Sequence, residues 1–160
     1  AWLYTVAGDY PAAREALLAA EPSLLDSGRW PAFIEARRDT ACLAGWVLMR
    51  TGDEQAGAEL LAAAADYLEN ELPKYIEHAD RAEIYYCHAP LGERDKALAA
   101  IETRFAHGHY GGWWLLRRMA QMEPLWGDPR FEAALQRVEA EMAVQREEVI
   151  RMEAAGTARL

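Results

Sequence analysis

Apolar residues along this chain recur every three or four positions, which is the period of an amphipathic helix. The clearest stripe follows Pro129 and consists of Phe131, Leu135, Val138 and Met142. No segment alternates apolar and polar residues over the length expected of a half-buried strand. The pattern therefore predicts an all-α chain of about eight helices.

Glycines and prolines divide this pattern into separate predicted helices, because glycine closes helices and proline interrupts them. Helices are predicted at about 2–7, 10–21, 32–51, 53–72, 76–89, 96–106, 113–123 and 128–155. The loop at 22–31 is too apolar for a free linker, so we expect it to pack against the helices. The last helix, from Asp128 to Ala155, is polar on its outer side and suits a capping role.

A glycine followed by an acidic residue recurs three times, at Gly8, Gly52 and Gly92. Each time a small residue stands five positions after the glycine and a branched aliphatic residue nine after it. Glycine adopts the left-handed conformation that closes a helix, and an acidic residue can cap the next one. These three positions are predicted to be structural turns between paired helices.

The residues around the central turn resemble those of the tetratricopeptide repeat family. Gly45 stands at the small position of the first helix, and Gly57, Leu61 and Ala64 match the small, large, small pattern of the second. The resemblance implies a right-handed superhelix of antiparallel helix pairs with a long C-terminal capping helix. The implied units are about 1–21, 32–72 and 76–107, with a capping pair at 112–155.

The third unit departs from the family pattern at Tyr85, His88 and Arg104, which makes it a degenerate repeat. Residues 92–142 are similar to the C-terminal end of repeat regions in bacterial multidomain regulators, through the tryptophan-containing glycine loop and the later Asp-Pro-Arg-Phe. That similarity implies that the chain is a fragment of a longer protein. An effector domain would then precede Ala1.

In tetratricopeptide arrays the first helix of each pair lines a concave groove that holds partners. The corresponding residues here are Trp2, Asp39, Cys42, Trp46, Met49, Arg50 and Tyr86. An aromatic ladder of this kind suits a bound peptide or helix, because aromatic rings give contact area at low entropic cost. The alternative is that these rings pack against neighbouring helices, or against a cap helix folded into the groove.

Composition and charge narrow the classes of partner. Hydrophobic residues make up 52% and charged residues 27% of the 160 residues, as in a folded globular chain. The net charge of -9 argues against nucleic-acid binding, which depends on basic patches. No apolar run approaches the roughly 18 residues that span a bilayer, so membrane insertion is not expected. We expect a cytoplasmic location, with the periplasm as the alternative for a domain attached to a membrane-anchored regulator.

Histidines and catalytic motifs give no clear reactive centre. The four histidines are His78, His88, His107 and His109, and no set of them with other ligands has the usual spacing of a zinc site. We therefore expect no metal, no cofactor and no enzymatic activity. The phosphate loop, G-x-S-x-G and HExxH motifs are likewise missing from the sequence.

The two cysteines, Cys42 and Cys87, stand 45 positions apart and form no CxxC pair. In a helical, alanine-rich chain such residues are expected to be buried small apolar side chains. A bridge between neighbouring helices is the alternative.

These observations predict a protein–protein interaction scaffold that binds a peptide or helix in an aromatic-lined groove, as the docking or sensory region of a bacterial regulator. On this reading Trp46→Ala weakens partner binding and leaves stability nearly unchanged. One alternative is a small-molecule sensor with a pocket between the groove and the Trp30 or Trp113 loops. Another is self-association, as a homodimer through the helix from Asp128 to Ala155.

Overall fold

The computed structural model describes residues 1–71 and 83–156 of the 160-residue chain, apart from the side chain of Asp39. All regular structure in these ranges is helical, which confirms the predicted all-α class. The α-helices are α1 (Trp2–Val6), α2 (Tyr10–Ala20), α3 (Trp30–Ala36), α4 (Arg38–Arg50), α5 (Glu54–Asp66), α6 (Tyr85–His88), α7 (Arg94–Ala106) and α8 (Pro129–Ala154). Short 3-10 helices occupy Pro22–Leu25, Ser27–Arg29, Trp113–Leu115 and Ala120–Leu125, and a π-helical turn at Tyr67–Glu71 continues α5.

Two predicted helices differ from the observed ones. The helix predicted at 32–51 is divided into α3 and α4, because the backbone leaves the helical region at Arg37 (φ -139°, ψ 43°). The short helix predicted to end before Pro124 is instead two 3-10 helices, the second of which contains that proline. Half of the helix predicted at 76–89, residues 76–82, lies outside the described residues.

The apolar loop at 22–31 packs down, as its composition predicts. The indole Nε1–H of Trp30 donates a hydrogen bond to the carbonyl oxygen of Leu24 at 2.9 Å, and both side chains are buried. Leu25 differs from them, since it remains exposed. The loop thereby fixes the start of α3 against the core.

Helices α4 and α5 form the most closely packed pair in the structure. A methyl group placed on Gly57 would lie 2.5 Å from the carbonyl oxygen of Gly45, and one placed on Gly45 would lie 2.7 Å from Cγ of Leu61. Both distances are shorter than van der Waals contact. The two glycines therefore allow the helix backbones to approach more closely than any side chain would permit.

The three predicted turn glycines all have left-handed backbone angles, with φ of 76° at Gly8, 99° at Gly52 and 75° at Gly92. A residue with a side chain rarely adopts this region, so glycine is required by geometry at these turns. The turns connect α1 to α2, α4 to α5 and α6 to α7.

The core consists of two apolar clusters that meet at α6. The first contains buried residues of α2 to α5 together with Ile84 and Cys87, and the second contains Tyr85 and Ala89 with residues of α7, α8 and the 3-10 helices before α8. Successive residues around α6 thus face different clusters. This short helix joins the two halves of the molecule.

A disulfide bond connects Cys42 in α4 to Cys87 at the end of α6, with a Cα–Cα distance of 4.9 Å. Both residues are buried, as expected, but they are paired rather than separate apolar side chains. The sequence separation of 45 residues gave no indication of this proximity, which arises when α6 packs beside α4.

A second link between elements is made by His88, whose imidazole is buried. Its Nδ1 lies 2.6 Å from Oε2 of Glu93, and its Nε2 lies 3.2 Å from Oε1 of Glu69. Lys96, 3.0 Å from Glu93, and then His88 lower the pKa of the Glu93 carboxyl. The ring connects the turn after α5, helix α6 and the start of α7.

Helix α8 begins at its predicted cap, where Oδ1 of Asp128 accepts a hydrogen bond from the backbone N–H of Arg130 at 2.9 Å. Its first half buries Phe131 and Leu135 in the second cluster, whereas residues 143–156 are exposed. Among the described residues, no helix is both long enough and apolar enough to cross a membrane.

Candidate ligand-binding cavity

A cavity of about 640 Å³ lies on the face formed by α1, α4 and α6. The segment 115–121, from the end of one 3-10 helix to the start of the next, contributes one of its walls. Its lining residues are Trp2, Ala36, Arg37, Arg38, Cys42, Leu43, Leu68, Glu83, Tyr86, Leu115, Met119 and Gln121. Small-molecule sites commonly have volumes of about 300–1,000 Å³, and this cavity falls in that range with a wall of mixed apolar and polar side chains.

Three residues of the predicted groove line this cavity: Trp2, Cys42 and Tyr86. Each comes from a different helix, and each of those helices is the first of a pair. Trp2 is 41% exposed and Tyr86 is half-buried, so both rings have surface available for contact. The sulfur of Cys42 is held in the disulfide.

Trp46 does not line the cavity, because its indole is only 7% exposed. The ring packs edge-on against Tyr10, with the centroids 6.3 Å apart. A void of only about 10 Å³ separates it from Met119 and Gln121 of the segment that lies over this face. Trp46 therefore holds α4 against its neighbours, which is the packing alternative considered for these rings.

Met49 and Arg50 also lie away from the cavity. Met49 packs against Gly57 at the contact between α4 and α5, where a methyl group on the glycine would be 2.6 Å from Cγ of Met49. The guanidinium of Arg50 is stacked 5.2 Å from the ring centroids of both Tyr10 and Trp46. Met49 and Arg50 therefore lie on other surfaces of α4. The side chain of Asp39 lies outside the described part of the chain.

Arg50 instead borders a broader depression of about 670 Å³ between α2 and the end of α4. Its main polar groups are already satisfied, since Arg14 donates a hydrogen bond to Oγ1 of Thr51 at 3.0 Å and forms an ion pair with Asp53. This depression is open to solvent and offers few unpaired groups to a ligand. The cavity at Trp2 and Tyr86 is the better candidate site.

The sequence did not identify most residues of the cavity wall. Arg37 and Arg38 stand at the break between α3 and α4, and Met119 and Gln121 belong to the segment that lies over the face. The family positions do not extend to either stretch. A run of four apolar or aromatic side chains after Gly112 was the signal that this segment would pack inward.

The tyrosines of α6 form an uncharged part of the site. The rings of Tyr85 and Tyr86 are 4.3 Å apart, and burial raises the pKa of both hydroxyls. Near neutral pH the Tyr86 phenol is therefore protonated and can donate a hydrogen bond to a ligand. Glu83, also in the wall, is 3.6 Å from Arg104.

The remaining histidines do not assemble a metal centre in the described residues, where no group of three or more His, Cys, Asp or Glu side chains converges. His107 is in the glycine loop with Nδ1 2.8 Å from the carbonyl oxygen of Thr103, and His109 follows it. His78 lies outside the described residues. In the same loop Trp113 packs against the second cluster, whereas Trp114 is exposed.

No protein-family model, curated protein or solved structure matches this chain. The geometry of the cavity is consequently the basis for assigning a function.

Proposed function

We propose that this chain is a noncatalytic recognition domain with a tetratricopeptide-like arrangement of helix pairs. Three glycine turns with positive φ, at Gly8, Gly52 and Gly92, support a repeated unit. The close approach of α4 and α5 at Gly45 and Gly57 supports the small-residue packing of that family. The position of α8 at the C-terminal end of the helix pairs is consistent with a capping helix.

The function we propose is the sensing of a small molecule in the cavity of about 640 Å³. The single observation that carries this proposal is the position of the segment 115–121. It lies near Trp46 and walls the cavity, so the face of the first helices holds a partly enclosed site. Such a site fits a compact ligand better than an extended peptide.

The similarity of residues 92–142 to the ends of bacterial regulator arrays supports placing the domain in such a regulator. Residues of both apolar clusters or their flanks line the cavity, including Leu68 from the first and Leu115 from the second. A bound ligand would therefore contact both halves of the domain. Its binding energy would favour the relative position of those halves seen here, and an attached effector could respond to that change.

The test is a thermal-shift screen of the purified chain against a panel of metabolites. A ligand present at a hundredfold excess over its Kd stabilises the folded state by about 2.7 kcal/mol, which is readily measured. The control is Ala36→Trp, which places an indole at the exposed rim of the cavity without altering the core. Hits that stabilise the parent protein but not Ala36→Trp support the proposal, and a flat response over a broad panel counts against it.

A second candidate is binding of a protein partner at α1, as predicted for the aromatic groove. The observation in its favour is that α1 exposes Trp2, Leu3, Tyr4 and Val6, an apolar patch beside the cavity. Selection of peptides from a random display library on the parent protein, with counter-selection on Leu3→Glu, tests it. Peptides that bind both proteins equally would exclude α1 as the binding surface.

A further inference from the structure

We propose that the cavity takes an organic anion: a molecule with a flat apolar body and one acidic group. This inference rests on the proposed sensing function and specifies the chemical class of its ligand. The features that carry it are the apolar walls, the buried amide of Gln121 and the guanidinium of Arg37.

The apolar body is accommodated by side chains from five parts of the chain. Trp2 and Tyr86 contribute aromatic rings, and Leu43, Leu68 and Met119 contribute aliphatic surface. Aromatic walls favour flat ligands, because ring stacking adds to the free energy of apolar burial.

Gln121 is a polar group left without a protein partner at this site. The residue is 4% exposed, and its side-chain amide makes no hydrogen bond with any residue that the structure describes. It lines this cavity and also the small void beside Trp46. A ligand with a hydrogen-bonding group could therefore pair with an amide that no described protein group satisfies.

Positive charge is concentrated at one edge of the cavity. Arg37 is exposed at the rim, and its side chain forms no ion pair or hydrogen bond with the described residues. Arg38 begins α4 beside it, and Arg37 makes no side-chain capping bond to that helix end. The amino end of α4 therefore places the positive end of the helix dipole beside the Arg37 guanidinium.

Glu83, the carboxylate in the described wall, lies 3.6 Å from Arg104, whose side chain is only 11% exposed, and that contact offsets part of its charge. The whole chain carries a net charge of -9, so the unpartnered Arg37 at the cavity edge is a local exception. Local charge of this sign selects anions over neutral molecules of the same shape.

The experiment compares two fluorescent probes with similar aromatic bodies: anilinonaphthalene sulfonate, an anion, and N-phenylnaphthylamine, which is neutral. Both should bind the full chain, with the anion binding about tenfold more tightly. Arg37→Gln should weaken binding of the anionic probe about tenfold and leave the affinity for the neutral probe unchanged. Arg146→Gln, which makes the same charge change on the exposed part of α8, is the matched control and should affect neither probe.

A second variant, Gln121→Met, keeps the side-chain length and removes the amide. It should weaken anion binding without lowering the stability of the free protein, because the amide makes no hydrogen bond with the described residues. A variant that merely damaged the fold would lower both the affinity for the anion and the stability of the free protein. This combination separates a ligand-binding role of Gln121 from a structural one.

The outcomes distinguish this inference from the function on which it rests. Equal affinities for the two probes, with no effect of Arg37→Gln, would overturn the anion specificity and leave the cavity as a binding site. No binding of either probe would overturn both proposals. Probe binding that is unchanged in Ala36→Trp would also overturn both proposals, since the probes would then occupy another surface.

Discussion

The carbonyl oxygen of Gly45 faces Gly57 so closely that a single methyl group would lie 2.5 Å from it. This contact sets the separation of α4 and α5, the pair around which the first apolar cluster is built. The cavity wall formed by α4 depends on it indirectly, because a shift of α4 would move Cys42 and Leu43.

Gly57→Ala is therefore expected to destabilise the protein by about 1–3 kcal/mol through overpacking. The direction of this change is informative. Helix propensity alone would make the alanine variant more stable by about 1 kcal/mol, so a loss of stability would show that overpacking outweighs it. Urea denaturation followed by far-ultraviolet circular dichroism measures the change. Gly111→Ala is the matched control, because its methyl group would meet only Nη2 of Arg104 at 3.7 Å, and equal stability of the two variants would contradict the close packing.

Trp46→Ala is expected to destabilise the fold by about 3–5 kcal/mol, because the indole is buried against Tyr10 and Arg50. This replaces the expectation from sequence that the substitution would leave stability unchanged. Trp2→Ala removes a ring that is 41% exposed and should cost about 1 kcal/mol or less. Thermal melts of the two variants give the comparison, and similar losses would show that the burial of Trp46 has little energetic weight.

Reduction of the bond between Cys42 and Cys87 should lower stability by about 4 kcal/mol, from the chain entropy released by opening a loop of this length. Denaturation with and without dithiothreitol measures the effect. The double variant Cys42→Ala/Cys87→Ala serves as control and should not respond to the reductant. Alkylation of the purified, denatured protein without reductant should add no mass, and modification of both cysteines would contradict the pairing.

The lowered pKa of Glu93 predicts that the protein loses stability in acid. Because Lys96 and His88 lower its pKa below the ordinary value of 4.5, the native state retains this charge at pH values where the unfolded chain is protonated. The stabilisation is present above pH 4.5 and is lost as the pH falls through the lowered value.

The measurement is the difference in unfolding free energy between the parent protein and Glu93→Gln as a function of pH. It should be largest near pH 7 and shrink steadily below about pH 4.5. Glu147→Gln, on the exposed half of α8, is the control and should show a small difference that does not change with pH. A constant difference for Glu93→Gln would mean that its charge does not contribute to folding.

The parts of the fold that could be predicted from the sequence are those set by local geometry. Turn glycines such as Gly52, the helix pair that meets at Gly45 and the cap at Asp128 each depend on residues close together in the chain. The break at Arg37 could not be predicted, because no glycine or proline marks it.

Tertiary packing determined the rest of the candidate site. Trp2 and Tyr86 follow from the positions of the repeat, but the contribution of Gln121 depends on how the segment 115–121 lies over the first helices. The disulfide likewise depends on the distance between α4 and α6, to which the spacing of Cys42 and Cys87 in sequence gives no guide. The observed cavity therefore differs from the predicted groove because of contacts between segments that are distant in the sequence.

The cavity also has a consequence for the order of events during synthesis. Its wall contains Trp2 from the beginning of the chain and Gln121 from its last quarter. Helices α1 to α5 can emerge from the ribosome and begin to pack before that glutamine has been made. The complete site exists only after the late segment has reached the face of the early helices, so ligand binding should report on a finished domain and not on a nascent one.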